Sequence, residues 1–580
     1  MFLIRKLARF LKGFRKQVFL GPLFKLTEAI FELIVPLVMA SLIDVGIMNG
    51  DKIYVFKMTG LMLLLGVIGL GCSLTCQFFA SRASQGFGTV VRTKLFAHIN
   101  TLSNAELDTL GTPSLITRLN NDVNQLQLAV AMLIRLVLRA PFLAIGATVM
   151  AVMLDAKMSI IFLVAALLIT LVLYAVMSRS VPYYNKIQKL LDKVSLLTRE
   201  NLDGARVIRA FSKQESEEER FAKTNEELQR SAINVSKLSA LLNPLTAIIA
   251  NFAIMAILWF GGLRVNSGTL TQGQIIALWN YMTQILLSLI VVANLVVIFT
   301  KASASANRVN EVFETKASVT DENNTEVTPI SGAPKLELRD VSFSYGEGEV
   351  ALNHISLAVN AGSTLGIIGG TGSGKTTLVS LIPRFYDVTD GEVLIDGVNV
   401  KAYPFTQLRR QLGIVPQRAE LFSGTVRSNM CWGCKNATDT QILEALSIAQ
   451  AADFIDKHPN GYDAPVLQGG KNFSGGQKQR LTIARALVGK PQILILDDSA
   501  SALDYATDSA LRHALKEQTL GMTIIMVSQR VATVKAAEQI LVLEDGETAG
   551  LGTHAELFES CAVYREICLS QLSDEEAKGK

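Results

Sequence analysis

The chain is poor in charge. Asp, Glu, Lys and Arg make up 18% of its 580 residues, against about 25% in an average soluble domain. What charge there is nearly cancels: 55 basic residues face 51 acidic ones, a formal net of +4. So small an excess over such a length excludes wholesale nucleic-acid binding. Cysteine is scarce as well. Six residues in the whole chain exclude a disulfide framework. Cys431-Trp432-Gly433-Cys434 has CxxC spacing, but it does not open a helix after a strand and no further metal ligands accompany it. It reads as a pair of incidental thiols. Cys72 and Cys76, four apart inside an apolar run, read as packing residues.

Apolar residues fill the space that charge leaves. They make up 49% of the chain, and the mean hydropathy is +0.33. This rules out a disordered or fibrous protein and argues against a purely soluble enzyme. The length allows about four domains. Polarity is unevenly distributed. Six stretches of the first half, near 18–47, 55–80, 129–153, 158–178, 240–263 and 274–300, are long enough to span a hydrocarbon core of about 30 Å. The second half alternates buried-strand and helix patterns. This gives an all-α six-helix transmembrane domain over residues 1–312, a polar linker over 313–334 with two prolines, and an α/β domain over 335–580.

Lysine and arginine cluster in two connections, 81–128 and 179–239, while the other three are short and nearly uncharged. By the positive-inside rule both termini are cytoplasmic, in a multi-pass plasma-membrane protein. The basic connections lack Gly/Pro clusters and read as helices running on into the cytoplasm, with Glu215–Arg220 a solvated helical face. At the N-terminus, Leu3, Leu7, Phe10, Leu11 and Phe14 recur at helical spacing among Arg5, Lys6, Arg9, Lys12, Arg15 and Lys16. No small-residue cleavage site follows. That pattern is a basic amphipathic elbow helix lying on the membrane surface.

Four charges sit deep in the apolar runs: Glu28 and Glu32 in the first, Arg135 and Arg139 in the third. Glu28 precedes Asp44 by 16 residues, as Arg139 precedes Asp155. Both therefore lie about 24 Å from those ends. Intramembrane charges usually pair, so Glu28 is expected opposite Arg139. Acids left unpaired would instead attract cationic amphiphiles.

Gly369-Gly370-Thr371-Gly372-Ser373-Gly374-Lys375-Thr376 matches GxxxxGK[ST] in full, after a buried-strand pattern and before a helix that begins at Thr377. Glycines let backbone N–H groups wrap phosphates, the Lys375 ammonium reaches them, and the Thr376 hydroxyl ligates Mg²⁺. Ile493–Asp498 is a second buried strand ending in two acids. The first, Asp497, suits Mg²⁺, and the second, Asp498, suits polarising the attacking water.

Between them lies Asn472-Phe473-Ser474-Gly475-Gly476-Gln477. Here the chain resembles the ATP-binding cassette (ABC) proteins, whose signature is SGGQ. The resemblance extends over nearly all residues. It implies that Tyr345 stacks on adenine, that Gln417 is the Q-loop glutamine near Mg²⁺ and water, and that Ser501–Asp504 is the D-loop. It makes the first half similar to the membrane domain of ABC exporters, with coupling segments near Leu115–Val123 and Glu200–Phe211. In that family ATP is closed between the P-loop of one chain and the signature of another. Ser474, Gly475, Gly476, Gln477 and Asp504 would therefore serve a partner's site, and the chain is a half-transporter.

Two departures matter. Active cassettes mostly carry Glu where this chain has Asp498, and His where it has Gln529. A misplacement of ~1 Å can cost on the order of 10² in rate, and an amide cannot relay a proton. The resemblance is therefore to the weakly hydrolysing subunit of bacterial heterodimeric multidrug exporters. It implies ATP and Mg²⁺ as cofactors, and as partners a second half-transporter chain, membrane lipid and a small hydrophobic or amphipathic cargo. Nucleic acid is not among them.

Overall fold

The computed structural model describes residues 7–321, 326–346 and 348–572. The chain divides into two compact units: residues 1–100 with 113–314, and residues 101–112 with 315–580. The second unit thus takes a short piece of the helical half.

In the first unit six helices are long and apolar enough to cross a membrane: α1 (Arg9–Ile47), α2 (Lys52–Ile99), α3 (Thr112–Leu154), α4 (Ser159–Asp203), α5 (Gln214–Asn266) and α6 (Gln272–Glu314). Each matches one of the six expected stretches, α4 starting one residue later than expected. The basic connections are helical extensions, as their lack of Gly/Pro implied, and Glu215–Arg220 lies on a largely solvated helix face. Helix α6 ends at Glu314, two residues inside the expected linker.

Small residues let these helices approach closely. Ala29, Ala147, Ala151, Ala165 and Ala277 are buried in one core with Phe162, Ile169, Ile257 and Tyr281. At Gly273 a Cβ would lie 2.3 Å from the Ala40 carbonyl oxygen, so only glycine allows this crossing of α1 and α6. The Gly273 N–H donates to Asp44 Oδ1 at 2.8 Å, which satisfies an otherwise orphaned donor in the first turn of α6.

The N-terminal elbow departs from its expectation. Leu3, Arg5 and Lys6 lie outside the described residues. From Ala8 to Phe14 the chain is a 3₁₀ helix. Leu7 is buried and the Phe10 ring lies 5.5 Å from that of Phe313. The apolar face thus covers protein as well as any lipid.

The expected pairing of Glu28 with Arg139 is corrected. Arg139 Nη2 reaches Glu32 at 2.7 Å, while Glu28 accepts from Lys25 Nζ at 2.6 Å. Sequence distance fixed the depth of Glu28 but not its azimuth. A lysine three residues back on the same helix face meets it first, and the next acid, Glu32, meets α3.

The second unit is built on strands β1 (Leu336–Ser344), β2 (Val350–Val359), β3 (Thr364–Gly369), β4 (Asp390–Ile395), β5 (Leu412–Val415), β6 (Ile493–Asp497), β7 (Thr523–Val527), β8 (Gln539–Glu544) and β9 (Glu547–Gly552). The central sheet runs β9-β8-β3-β7-β6-β5. Five of its strands, β8 to β5, are parallel and only the edge strand β9 is antiparallel. The burial of every residue of β6 is the mark of a strand covered on both faces. A second, antiparallel sheet holds β2, β1 and β4. In the linker, the Val327 backbone exchanges two hydrogen bonds with the Gln407 side chain, at 2.9 and 2.7 Å, so this stretch is fastened to the cassette.

The piece 101–112 carries a short helix, Asn104–Leu110, opened by a capping box of Ser103 and Glu106. Asp108 on it accepts a 2.7 Å hydrogen bond from Tyr386 Oη. Burial and this carboxylate together hold the phenol above its ordinary pKa. Residues 115–123, expected as a coupling segment, fall in the first unit, while residues 101–112 group with the second.

Candidate nucleotide site

Parallel strands β3, β6 and β7 end side by side. Val527 is in register with Ile367 on one side and Asp497 on the other. The loop after β3 and the residues after β6 and β7 therefore meet at the carboxyl edge of the sheet, where open α/β folds bind ligands. Here Tyr345, Thr371, Gly372, Gly374, Lys375, Thr376, Thr377, Gln417, Asp497, Asp498 and Gln529 line one cleft of about 340 Å³, within the range of small-ligand sites. Ala351 and Val527 also line it; apolar and motif-free, neither carried a sequence signal.

Helix α7 (Lys375–Leu381) starts after Gly374, whose φ is +94°. A Cβ there would meet Leu352 Cδ2 at 2.7 Å and the Ala351 carbonyl at 2.9 Å, so both conformation and space require glycine. Lys375 Nζ donates to the carbonyls of Gly369 and Gly370, at 3.0 and 2.5 Å, and to Ser373 Oγ at 3.2 Å. Burial pulls its pKa down, and the charges of Asp498 and Asp497 oppose that. An anion in the loop would satisfy this desolvated ammonium better than carbonyls do.

Thr376 Oγ1 donates to Asp497 Oδ1 at 3.1 Å. The pair is close enough to share one hard cation, and an all-oxygen donor set of this kind suits Mg²⁺. Burial raises the Asp497 pKa, against the Thr376 hydrogen bond and the charge of Lys375. Gln417 Nε2 contacts Asp498 Oδ2 at 3.4 Å. Asp498 itself has φ +43°, a left-handed conformation that Asp tolerates better than most residues. The residues thus fit ATP and a divalent ion.

Tyr345 is half exposed. Its hydroxyl donates to Thr377 Oγ1 at 3.2 Å, and its ring is edge-on to Phe343 and Tyr386 at 4.8 and 5.4 Å. It is therefore braced with a free face beside the loop. Tyr386, which sequence reasoning missed, links this aromatic group to Asp108.

Ser474, Gly475, Gly476, Gln477 and Asp504 do not line the cleft. Ser474 caps α8 (Gly475–Leu487) in a capping box with Gln477. Asp504 caps α9 (Tyr505–Gln518), accepting from Thr507 N and Oγ1 at 2.9 and 2.8 Å, which hold its carboxyl below the usual range. Gln529 reaches the cleft while its carbonyl is held by Gln571 Nε2 at 2.8 Å.

Comparison with known proteins agrees with this geometry. The ABC transporter transmembrane region family matches residues 18–290, and the ABC transporter family matches residues 352–501. An uncharacterised ABC transporter ATP-binding protein of Mycobacterium tuberculosis is 36% identical over 575 residues, 98% of each chain. An ATP-dependent lipid A-core flippase of Syntrophus aciditrophicus is 32% identical over 523 residues, 89% of this chain and 85% of that one. A bacterial Atm1-family ABC exporter with ATP bound shares the fold, with TM-score 0.78 and 24% identity over 98% of this chain and 99% of the other. With two family matches in tandem and a near full-length relationship, the chain belongs to the ABC transporters: it is a multi-pass membrane half-transporter of the exporter fold that binds ATP and couples its hydrolysis to transport.

Proposed function

We propose that the chain is one subunit of a heterodimeric exporter that moves hydrophobic or amphipathic, multidrug-type compounds out of a bacterial cell. Its own site hydrolyses slowly, and its signature completes the active site of a different partner. The observation that carries this is the composition of one cleft: the P-loop residues Thr371, Gly372, Gly374, Lys375 and Thr376, with Asp497, share it with Asp498 and Gln529, where active cassettes have Glu and His. In this reading Gln417, Asp498 and Gln529 serve catalysis weakly. Thr376, Asp497 and Gln417 hold Mg²⁺, Tyr345 stacks on adenine, and residues 369–377 cradle phosphate. Ser474, Gly475, Gly476, Gln477 and Asp504 face the partner's nucleotide. The domains run 1–312 and 335–580 with 313–334 as linker, and both termini are cytoplasmic.

The test is the purified chain alone in liposomes. It is expected to bind Mg-ATP but turn it over at a few per cent of the rate reached after its partner is added. Brisk ATPase and cargo movement without a partner would overturn the proposal. A second reading, a homodimeric lipid exporter, is favoured by similarity to a chain named as a lipid A-core flippase, and that outcome would select it. An ATP-binding regulatory subunit would instead leave partner ATPase intact when its own P-loop lysine is replaced.

A further inference from the structure

Charge at membrane depth does not balance. Among the described residues, the middle of α1 and α3 carries Lys25, Glu28, Glu32, Arg135 and Arg139, three cations against two acids. Both acids are taken. Glu28 accepts from Lys25 Nζ at 2.8 and 2.6 Å, and Lys25 also donates to Ser73 Oγ at 3.1 Å. Glu32 receives Arg139 Nη2 on both oxygens at 2.7 Å. Arg135 makes no hydrogen bond or ion pair among the described residues. The charge left over is therefore positive, the reverse of the unpaired acids that were the alternative to pairing.

Arg135 is half-buried and lies within electrostatic range of buried Cys76, as do Lys25 and Glu28. Its neighbour Ile134 is buried and closes against Gly21 of α1. Arg135 is therefore not at a helix end, from which a long side chain could extend to water. A guanidinium cannot relieve its position by losing a proton. It needs an anion.

Two further features mark the same place. The turn Leu133–Val137 is π-helical, a local unwinding that is frequent at functional sites. Arg139 follows that turn by two residues and lies four after Arg135, a spacing that puts both on one side of the helix. Arg139 Nε is buried without a partner, although Nη2 is engaged. One fork thus offers a free charge and the other a free N–H.

We propose that Arg135, with Arg139 Nε beside it, binds the anionic headgroup of an amphiphile, a phosphate or carboxylate on an apolar tail. A planar guanidinium matches such oxygens two at a time. The apolar surroundings suit the tail. This rests on the reading of the chain as an exporter of amphipathic molecules and narrows its cargo to the anionic class. The same chemistry serves a transported molecule or a resident bilayer phospholipid.

The test uses the full transporter in dodecyl maltoside and labelled dodecyl phosphate as probe, followed by equilibrium binding with no nucleotide present. Dodecyl phosphate is expected to bind saturably, with dodecyltrimethylammonium failing to compete. Arg135→Gln is expected to weaken binding at least tenfold and Arg135→Lys to restore part of it, with ATP binding and melting temperature unchanged. Equal binding by Arg135→Gln, or equal competition by the cationic detergent, would overturn the proposal. ATP-driven movement of the probe across sealed vesicles identifies it as cargo, whereas binding without movement identifies the lipid role. Because the binding arm needs no hydrolysis, a fast ATPase of the lone chain would refute the slow-site proposal and leave this result standing.

Discussion

Replacing Asp498 with Glu restores the missing CH₂ and tests the slow-site argument directly. In the structure the Asp498 carboxylate sits 3.4 Å from Gln417 Nε2, at the loose end of a hydrogen bond. A further methylene advances the carboxylate by roughly 1.5 Å, about one C–C bond, toward where a water would stand. A misplacement of about 1 Å is worth on the order of 10² in rate, or about 2.7 kcal/mol of barrier. Asp498 adopts φ +43°, and a residue without the short polar side chain of Asp is held there at a cost of about 1 kcal/mol. That strain is present with or without ATP, so it lowers stability and leaves the barrier unchanged. Asp498→Glu is therefore expected to raise the rate at this site 10- to 100-fold while lowering the melting temperature slightly. Adding Gln529→His should raise the rate further. The assay is phosphate release by the heterodimer with the partner's own site disabled, and Lys375→Ala should abolish the gain. An unchanged rate in the double variant, with ATP still bound, would refute the reasoning.

Tyr386→Phe removes the hydroxyl that holds Asp108. A hydrogen bond to a charged group contributes about 1.5 kcal/mol, so amide exchange in residues 101–112 should quicken about tenfold, measured by mass spectrometry, with adenine binding little changed. Asp122 is buried and accepts from Ser305 Oγ at 2.9 Å and Arg308 Nε at 2.8 Å. Asp122→Asn should cost about 2 kcal/mol, read as a lowered unfolding midpoint in detergent. Arg427 bridges Asp439 and Asp463, and its hydrogen bond holds the Asp439 carboxyl below its ordinary range. A depressed carboxyl stabilises the fold above its unfolded pKa and loses that effect as pH falls through the folded one. Arg427→Gln should therefore melt lower at pH 7, and the difference should begin to shrink only below about pH 4, as pH falls toward the lowered folded-state pKa; a constant difference would argue against it.

The nucleotide cleft was legible in the sequence because its parts are local. A P-loop needs one strand, one turn and one helix, and Asp497 needs only the end of β6. The register that sets Val527 beside both Ile367 and Asp497 brings these pieces together. Contacts across long separations were not legible. Tyr386 and Asp108 are 278 residues apart, and nothing in either neighbourhood names the other. Residue counting put Glu28 at the depth of Arg139, yet helix azimuth and the closer Lys25 decided the pairing. The grouping of residues 101–112 with the second unit was not legible either, because the helix Asn104–Leu110 is short and polar and carries no hydrophobic period.

The glycine crossing of α1 and α6 has a mechanical corollary. With Gly273 against the Ala40 carbonyl and its N–H fixed by Asp44, the start of α6 can neither slide nor retreat far without breaking that contact. Motion of α6 is then a swing about a pinned end. The helix has 43 residues, about 64 Å at 1.5 Å each. A tilt of roughly 10° would carry Glu314 sideways by about 11 Å, so a small angular change at the fulcrum becomes a long stroke at the far end of the helix.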